Sequence, residues 1–316
     1  DWDKMFVAFQ SDVSGQNAAK ELDHPDWTSN WQNWKPNTEP SKQIPVGDFK
    51  VDLETIADKL PPNDIFAIHG DSQLSLPLAA TLPDETSMLI STSKKHRNKG
   101  VSFLQNAMLR VMTALPPGKA HFTLIDPVGL GQSFAGVLHL ADYEDSQLLD
   151  RSWSEPRHIE QQLSMLTEHM ETVIQKYLRN DFESIDVYNK QAGEIAEPYR
   201  FLVIADLPNN FSENAAKRLT SIITSGSRCG VHVILHRDLS LTLPSGIDED
   251  TLNKIPLRII EDEGTFRIDE NELCDLPLTI EEPPNDELTT SIVKKVGDEA
   301  ELTHRVEVPF SVISPD

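Results

Sequence analysis

Between an apolar run, Ser87 to Ser91, and a helix-like run, Val101 to Met112, lies the segment Thr92-Ser93-Lys94-Lys95-His96-Arg97-Asn98-Lys99-Gly100. Its cations, Lys94, Lys95, Arg97 and Lys99, with His96 among them, are of the type that grips a phosphate. A strand, a short loop and a helix form the frame of a phosphate-binding loop, whose working sequence is GxxxxGK[ST]. Glycines serve that loop because its backbone takes positive φ and approaches the phosphate with no Cβ in the way. Thr92 to Asn98 contains no glycine, so cradling by backbone is not expected. Lys99-Gly100 is followed by Val101, and Ser102 is a hydroxyl one position out of register. Cations at a helix start oppose the helix dipole, so the loop calls for a bound phosphate or an acidic neighbour. The favoured reading is a solvated loop whose phosphate function has decayed.

Other constellations are weaker. Gly129-Leu130-Gly131-Gln132-Ser133 follows a strand-like run and contains GxG, but it lacks a third glycine, so a tight turn is expected and not a dinucleotide site. His232 and His236 share a strand face without a carboxylate or third ligand, which favours packing over zinc. Gly193-Glu194-Ile195-Ala196-Glu197-Pro198 reads as a solvated loop. No Ser/His/Asp or Cys/His arrangement follows from spacing. Cys229 and Cys274 match no metal or redox spacing and read as buried free thiols in a reducing cytoplasm.

The elements that must position these residues show a βα rhythm. Strand-length apolar runs occur at 87–91, 121–126, 201–206, 231–236 and 257–260, with helices expected at 99–115, 156–179 and 214–225. Ile159, Leu163, Leu166, Met170, Val173, Ile174 and Tyr177 make a 3.6-period stripe, entered through Pro156. Strands alternating with helices imply an α/β fold, a mainly parallel sheet covered on both faces. Residues 1–73 read as an irregular N-terminal extension packing on the core, with a strand and short helix between Val46 and Leu60 stopped by Pro61-Pro62-Asn63-Asp64. Trp27, Trp31 and Trp34 at i, i+4 and i+7 place three indoles on one face of a short helix. Residues 269–316 read as an acidic linker at Glu281 to Asp286, a helix over Glu287 to Val296 and a terminal strand, Arg305 to Phe310, leading to a further module.

The formal charge of −23, from 28 Lys plus Arg against 51 Asp plus Glu, repels nucleic acid, so no direct DNA binding is expected of this fragment. No run of about 18 apolar residues exists, so no membrane contact is expected. The start at Asp1-Trp2-Asp3-Lys4 has no signal-peptide character and no initiator Met, the expectation being an excised fragment.

Several strings, in order, resemble the motor domain of FtsK/SpoIIIE-type DNA translocase ATPases, of the HerA/FtsK class. His121-Phe122-Thr123-Leu124-Ile125-Asp126-Pro127 resembles the family's strand ending in IDPK, and Val137-Leu138-His139-Leu140 its PHL turn. Glu168 to Tyr177 and Ser184 to Asn189 are similar to the EMExRY helix and the IxxYN that follows. Pro198 to Asp206 looks like the Walker B strand, Arg228 to Leu235 like RAxGIHLIL, and Asn253 to Ile259 like NIPxRI. The resemblance covers about residues 74–268 and implies a RecA-like P-loop NTPase fold.

It also implies what is missing. Phosphoryl transfer needs a phosphate cradle, an acid on Mg²⁺ and a polar residue on the water. Asp206 aligns with the Mg²⁺-linked acid, but Leu207 stands where the family places its water-activating Glu, and His236-Arg237-Asp238 replaces TQRP. The expected function is a catalytically degenerate module, with Asp206 a vestigial acid, no catalytic residue, and a structural or regulatory role in a larger multi-module protein. No cofactor and no metal are expected. The alternative is a functioning ATPase, translocating DNA or protein, that binds ATP and Mg²⁺ through Lys94, Lys95, Arg97, Lys99, Ser102, Asp126 and Asp206. Implied partners are other FtsK-like modules, in a possible ring, at a cytoplasmic location with any membrane anchor elsewhere in the full-length protein.

Overall fold

The computed structural model describes residues 2–29, 31–57, 72–143, 147–179, 181–193, 196–269 and 276–307. In chain order the elements are α1 (Trp2–Asp23), β1 (Gln43–Asp52), α2 (Leu53–Ala57), β2 (Gln73–Thr81), β3 (Met88–Thr92), α3 (Arg97–Ala114), β4 (Ala120–Ile125) and β5 (Leu149–Trp153). There follow α4 (Pro156–Val173), α5 (Ile185–Ala192), β6 (Tyr199–Leu207), α6 (Glu213–Ser225), β7 (Val231–Asp238), α7 (Glu249–Leu252), β8 (Leu257–Asp262), β9 (Thr265–Ile268), β10 (Leu278–Ile280) and α8 (Asp286–Glu307).

All ten strands join one sheet in the order β2-β1-β10-β9-β8-β3-β7-β6-β4-β5. The stretch from β8 to β5 is parallel throughout, and β9, β10, β1 and β2 add antiparallel pairings at one side. Burial explains which strands are central. All five residues of β3 are buried, and from Phe201 to Leu207 so is every residue of β6, as a strand covered on both faces requires. The β3-α3-β4 connection crosses the sheet in one direction and β6-α6-β7 in the other, so right-handed crossovers put α3 and α6 on opposite faces. α4 packs with α6, and α8 packs with α3.

The stripe read from the sequence buries Ile159, Leu163, Leu166, Met170 and Val173 in α4, but the helix continues as one π-helical turn over Ile174–Leu178, which leaves Ile174 exposed and Tyr177 half-buried. Three expectations change. Within residues 1–73 the described residues hold regular elements where an irregular extension was expected: α1 runs for 22 residues, and β1 lies between β2 and β10 inside the sheet. The described residues between Trp27 and Trp34 are turn and irregular chain rather than helix, and the indoles meet consecutively in tilted pairs, with centroids 4.8 and 5.4 Å apart. Residues 305–307, expected as the start of a strand, close α8; residues 308–310 lie outside the described residues, as do Pro61 to Asp64, Glu194-Ile195 and Cys274.

The acidic linker is no solvated tether either. Glu281 accepts from Arg110 through Nε at 2.8 Å and through Nη2, and from Asn106 Nδ2 at 3.1 Å. Arg110 is fully buried, lies 3.8 Å over the Trp27 ring and donates to the Pro25 carbonyl at 3.0 Å. A buried guanidinium requires such complete pairing. One side chain of α3 therefore ties the N-terminal segment to the linker before α8.

Candidate functional site

In a parallel sheet the loops that leave the carboxyl ends of the strands meet along one edge, where open α/β folds carry their ligands. β3 ends there at Thr92, and the chain passes through Ser93 into a single 3-10 turn, Lys94–His96, before α3 starts at Arg97. The loop is pinned by an acid from β8. Glu261 accepts the Ser93 N–H at 3.0 Å, the Ser93 hydroxyl at 2.8 Å and the Gly264 N–H at 2.6 Å, and lies 2.8 Å from His96 Nδ1. Burial pushes the Glu261 carboxyl up, but the hydrogen bonds from Ser93 and Gly264 outweigh it and hold it below the usual carboxylate range.

Arg97 turns inward from the first turn of α3. Its Nε donates to Asp206 Oδ1 at 2.7 Å and its Nη2 to Asp206 Oδ2 at 2.5 Å, a fork-on-fork pair, while Nη2 also reaches Ser133 Oγ at 3.2 Å. Asp206 sits at a bulge near the end of β6 with φ of 57°, a left-handed conformation that Asp tolerates better than most residues. Its side chain is only 2% exposed. Burial pushes its carboxyl up, and the contacts with His236 and Arg97 more than reverse this, leaving it below the ordinary range.

β7 runs between β3 and β6, so His236 bridges them. His236 Nδ1 lies 3.2 Å from the Asp206 backbone N and 3.4 Å from its Oδ1, and Nε2 shares a hydrogen bond with Thr92 Oγ1 at 2.9 Å. Hydroxyl, imidazole and carboxylate meet here, yet this is no nucleophile relay: Thr92 and His236 are fully buried, so no substrate reaches the hydroxyl. Gly100 belongs to this packing and not to a phosphate nest. A Cβ there would lie 2.2 Å from His236 Cδ2.

The remaining sequence candidates disperse. The Asp126 carboxylate is enclosed by its own loop, accepting from the N–H groups of Gly129 at 2.9 Å, Gly131 at 2.8 Å and Ser133 at 3.1 Å, and from Ser133 Oγ at 3.1 Å. The GxG string is thus a tight turn around an acid. Lys99 points away to Glu282, and Ser102 is half-buried further along α3. Lys94 and Lys95 are exposed, and no described residue pairs with them. Leu207 is fully buried. Among the described residues no group of three or more His, Cys, Asp or Glu could hold a metal ion, and no helix is long and apolar enough to cross a membrane.

The sequence gives little warning of Ser133 and Glu261. Ser133 lies in the GxG string, but nothing in the sequence couples it to Arg97. Glu261 is one of 51 acids and follows a strand-like run with no motif of its own.

No family model matches the chain, and no curated protein matches it. Solved structures do. EssC (ATPases 2 and 3) from Geobacillus thermodenitrificans aligns over 87% of this chain and 52% of its own, with 14% identity and a TM-score of 0.57. EccC (ATPases 2 and 3) from Thermomonospora curvata, solved in complex with a signal sequence peptide, aligns over 86% and 49% at 14% identity, also with a TM-score of 0.57. The pCW3 conjugation coupling protein TcpA, in its monomer form with ATPgS, aligns over 74% and 73% at 15% identity, with a TM-score of 0.52. The chain spans about half the length of the EssC and EccC chains it matches. The chain therefore has the α/β, RecA-like fold of FtsK/SpoIIIE-type P-loop ATPase domains.

Proposed function

We propose that this chain is a catalytically degenerate ATPase-type module, with a structural or regulatory role inside a larger translocase-type protein. The observation that carries the reading is the Arg97–Asp206 fork, with His236 packed beneath it. In an active site the acid after the β6 strand is free to act on Mg²⁺ and the loop amides are free for phosphate. Here the acid is taken by a guanidinium from the loop's own helix, and the loop is tied down by Glu261. The buried Leu207 next to the acid has no group that could polarise water. Mg²⁺ and a triphosphate do not fit this arrangement.

Partners and place follow from the same reading. EssC and EccC are described as paired ATPases, and this chain matches about half of each, which supports one module among several. Its neighbours are then other modules of the same polypeptide or ring, at a cytoplasmic location, with DNA or protein as the cargo of the full-length molecule.

Calorimetric titration with ATP and Mg²⁺, alongside a phosphate-release assay, tests the reading. The expected result is no saturable binding up to about millimolar ATP, weaker than about 4 kcal/mol, and no phosphate release. Micromolar affinity, or turnover abolished by Asp206→Ala, would overturn it in favour of a working ATPase that draws Arg97 off Asp206.

A further inference from the structure

Beside the Arg97–Asp206 fork, the same loop builds a second arrangement that faces outward. His96 closes the 3-10 turn with its Nδ1 2.8 Å from Glu261 Oε1. Glu261 is nearly buried, its side chain 3% exposed, and two backbone N–H groups and the Ser93 hydroxyl fix its position. The Ser93 hydroxyl gives its own proton to Glu261 and lies 3.2 Å from His96 Nδ1, so Nδ1 of the neutral ring donates to this Ser93–Glu261 pair and the lone pair lies on Nε2. No described residue pairs with His96 Nε2. The β8–β9 turn passes beside it at Gly264, where φ is 88° and a Cβ would come within 3.6 Å of Nε2. Glycine at that position leaves the Nε2 edge uncovered. Lys94 and Lys95, on the same turn, are exposed and unpaired among the described residues.

An imidazole oriented by a buried carboxylate, with an Nε2 that no described residue covers and two exposed, unpaired lysines on the same turn, is a nucleophile with flexible cations within reach of an anion. We propose that His96 is a phosphoryl-acceptor site, modified at Nε2 by an N-phosphoryl donor. With the zwitterion of phosphoramidate as donor the step balances. The Nε2 lone pair forms the N–P bond as the donor's P–N bond breaks, and ammonia leaves carrying its three protons. The ring keeps its Nδ1–H, and Glu261 faces the positive charge that results. Lys94 and Lys95, long side chains on the same turn, supply cations for the phosphoryl oxygens, and Asp262 is occupied by Arg267. This site shares a loop with the Arg97–Asp206 pair and does not require that pair to open, so it stands whether or not the chain binds ATP.

Three other histidines lack this combination, and the exposed His158 stands against the Trp153 ring with no carboxylate beside its nitrogens among the described residues. His232 and His236 are fully buried, and His139 has only a looser 3.3 Å contact to an exposed Asp142. The test is incubation of the full chain with phosphoramidate, with peptide mapping of the acid-labile 80 Da adduct (the mass of one phosphoryl group, about HPO3). His96 is expected to be modified at least about tenfold faster than any other histidine, with Glu261→Gln and Lys94→Ala/Lys95→Ala each slowing it about fivefold or more. Long-range ¹⁵N NMR of the unmodified chain is expected to report the Nδ1–H tautomer for His96 and to lose that preference in Glu261→Gln. Modification spread evenly over the histidines, or an Nε2–H tautomer for His96 in the wild-type chain, overturns the proposal. Should Glu261→Gln disturb the β8–β9 turn, the Lys94/Lys95 variant still decides it, since those side chains support no other described contact.

Discussion

At the scale of single residues, the decisive fact is which partner each charge finds. The Asp206 carboxylate is almost wholly buried, whereas Arg97 keeps 29% of its side chain in contact with water. Removing either partner therefore has unequal effects. Arg97→Ala strands a buried anion and is expected to lower stability by about 2–3 kcal/mol, below the range for a wholly buried pair because Arg97 is partly wet. Asp206→Asn leaves a cation that can swing into solvent, and Asn also tolerates a left-handed backbone, so a loss of about 1 kcal/mol or less is expected. Urea midpoints of the two variants check the order, and equal losses would contradict the burial argument. Because the folded Asp206 pKa is lowered, its stabilisation is present above the ordinary carboxylate range and is lost as pH falls through the folded value.

Among the elements, α3 is the hub. Its first turn supplies Arg97 to β6, its Gly100 admits His236 of β7, and its fourth turn supplies Arg110 to Glu281 and Trp27. Gly100→Ala forces a methyl into the imidazole and is expected to cost about 1–3 kcal/mol by overpacking. Adding His236→Ala is expected to return part of that loss, and the double-mutant cycle measures the coupling. At the far end, Arg110→Ala leaves Glu281 without its cation and is expected to cost about 3–5 kcal/mol. The joint change Arg110→Leu with Glu281→Leu costs less than the single change, because no lone charge is left behind. Chemical denaturation of the two variants reads this out.

For the whole molecule, burial of neutral histidines sets the response to acid. Burial pushes His24, His121, His169 and His232 down to about 4, with nearby Arg200 adding to the effect at His121 and His169. The unfolded chain takes up these protons near pH 6.5 and the folded chain does not. Stability is therefore full above about pH 6.5 and falls as pH drops toward 4. His232 alone, fully buried with both ring nitrogens unpaired among the described residues, accounts for about 2 kcal/mol between pH 7 and pH 5. His232→Phe is expected to flatten that stretch of the profile in urea titrations run at both pH values. The sheet carries a further consequence. β1 is interior to it, and Ile44, Val46, Trp27 and Trp31 are buried, so a fragment of residues 74–268 is expected to be insoluble or to lack cooperative unfolding. A soluble, cooperatively melting fragment would show that the N-terminal strand is dispensable.

By itself the sequence determined the central strands and the main helices, because long apolar runs and a 3.6-period stripe report burial directly. It also determined the absence of glycine from the loop after β3 and the leucine after Asp206, since these are facts of composition at fixed positions. Only the tertiary structure decided that Arg97 meets Asp206, that Glu261 holds Ser93 and His96, and that an acidic linker is clamped by a buried arginine. Those pairs lie 109, 168 and 171 residues apart at Arg97–Asp206, Ser93–Glu261 and Arg110–Glu281. A charged side chain in a sequence reads as solvated until the fold brings its counter-charge to it, and such distant pairing leaves no periodicity to read.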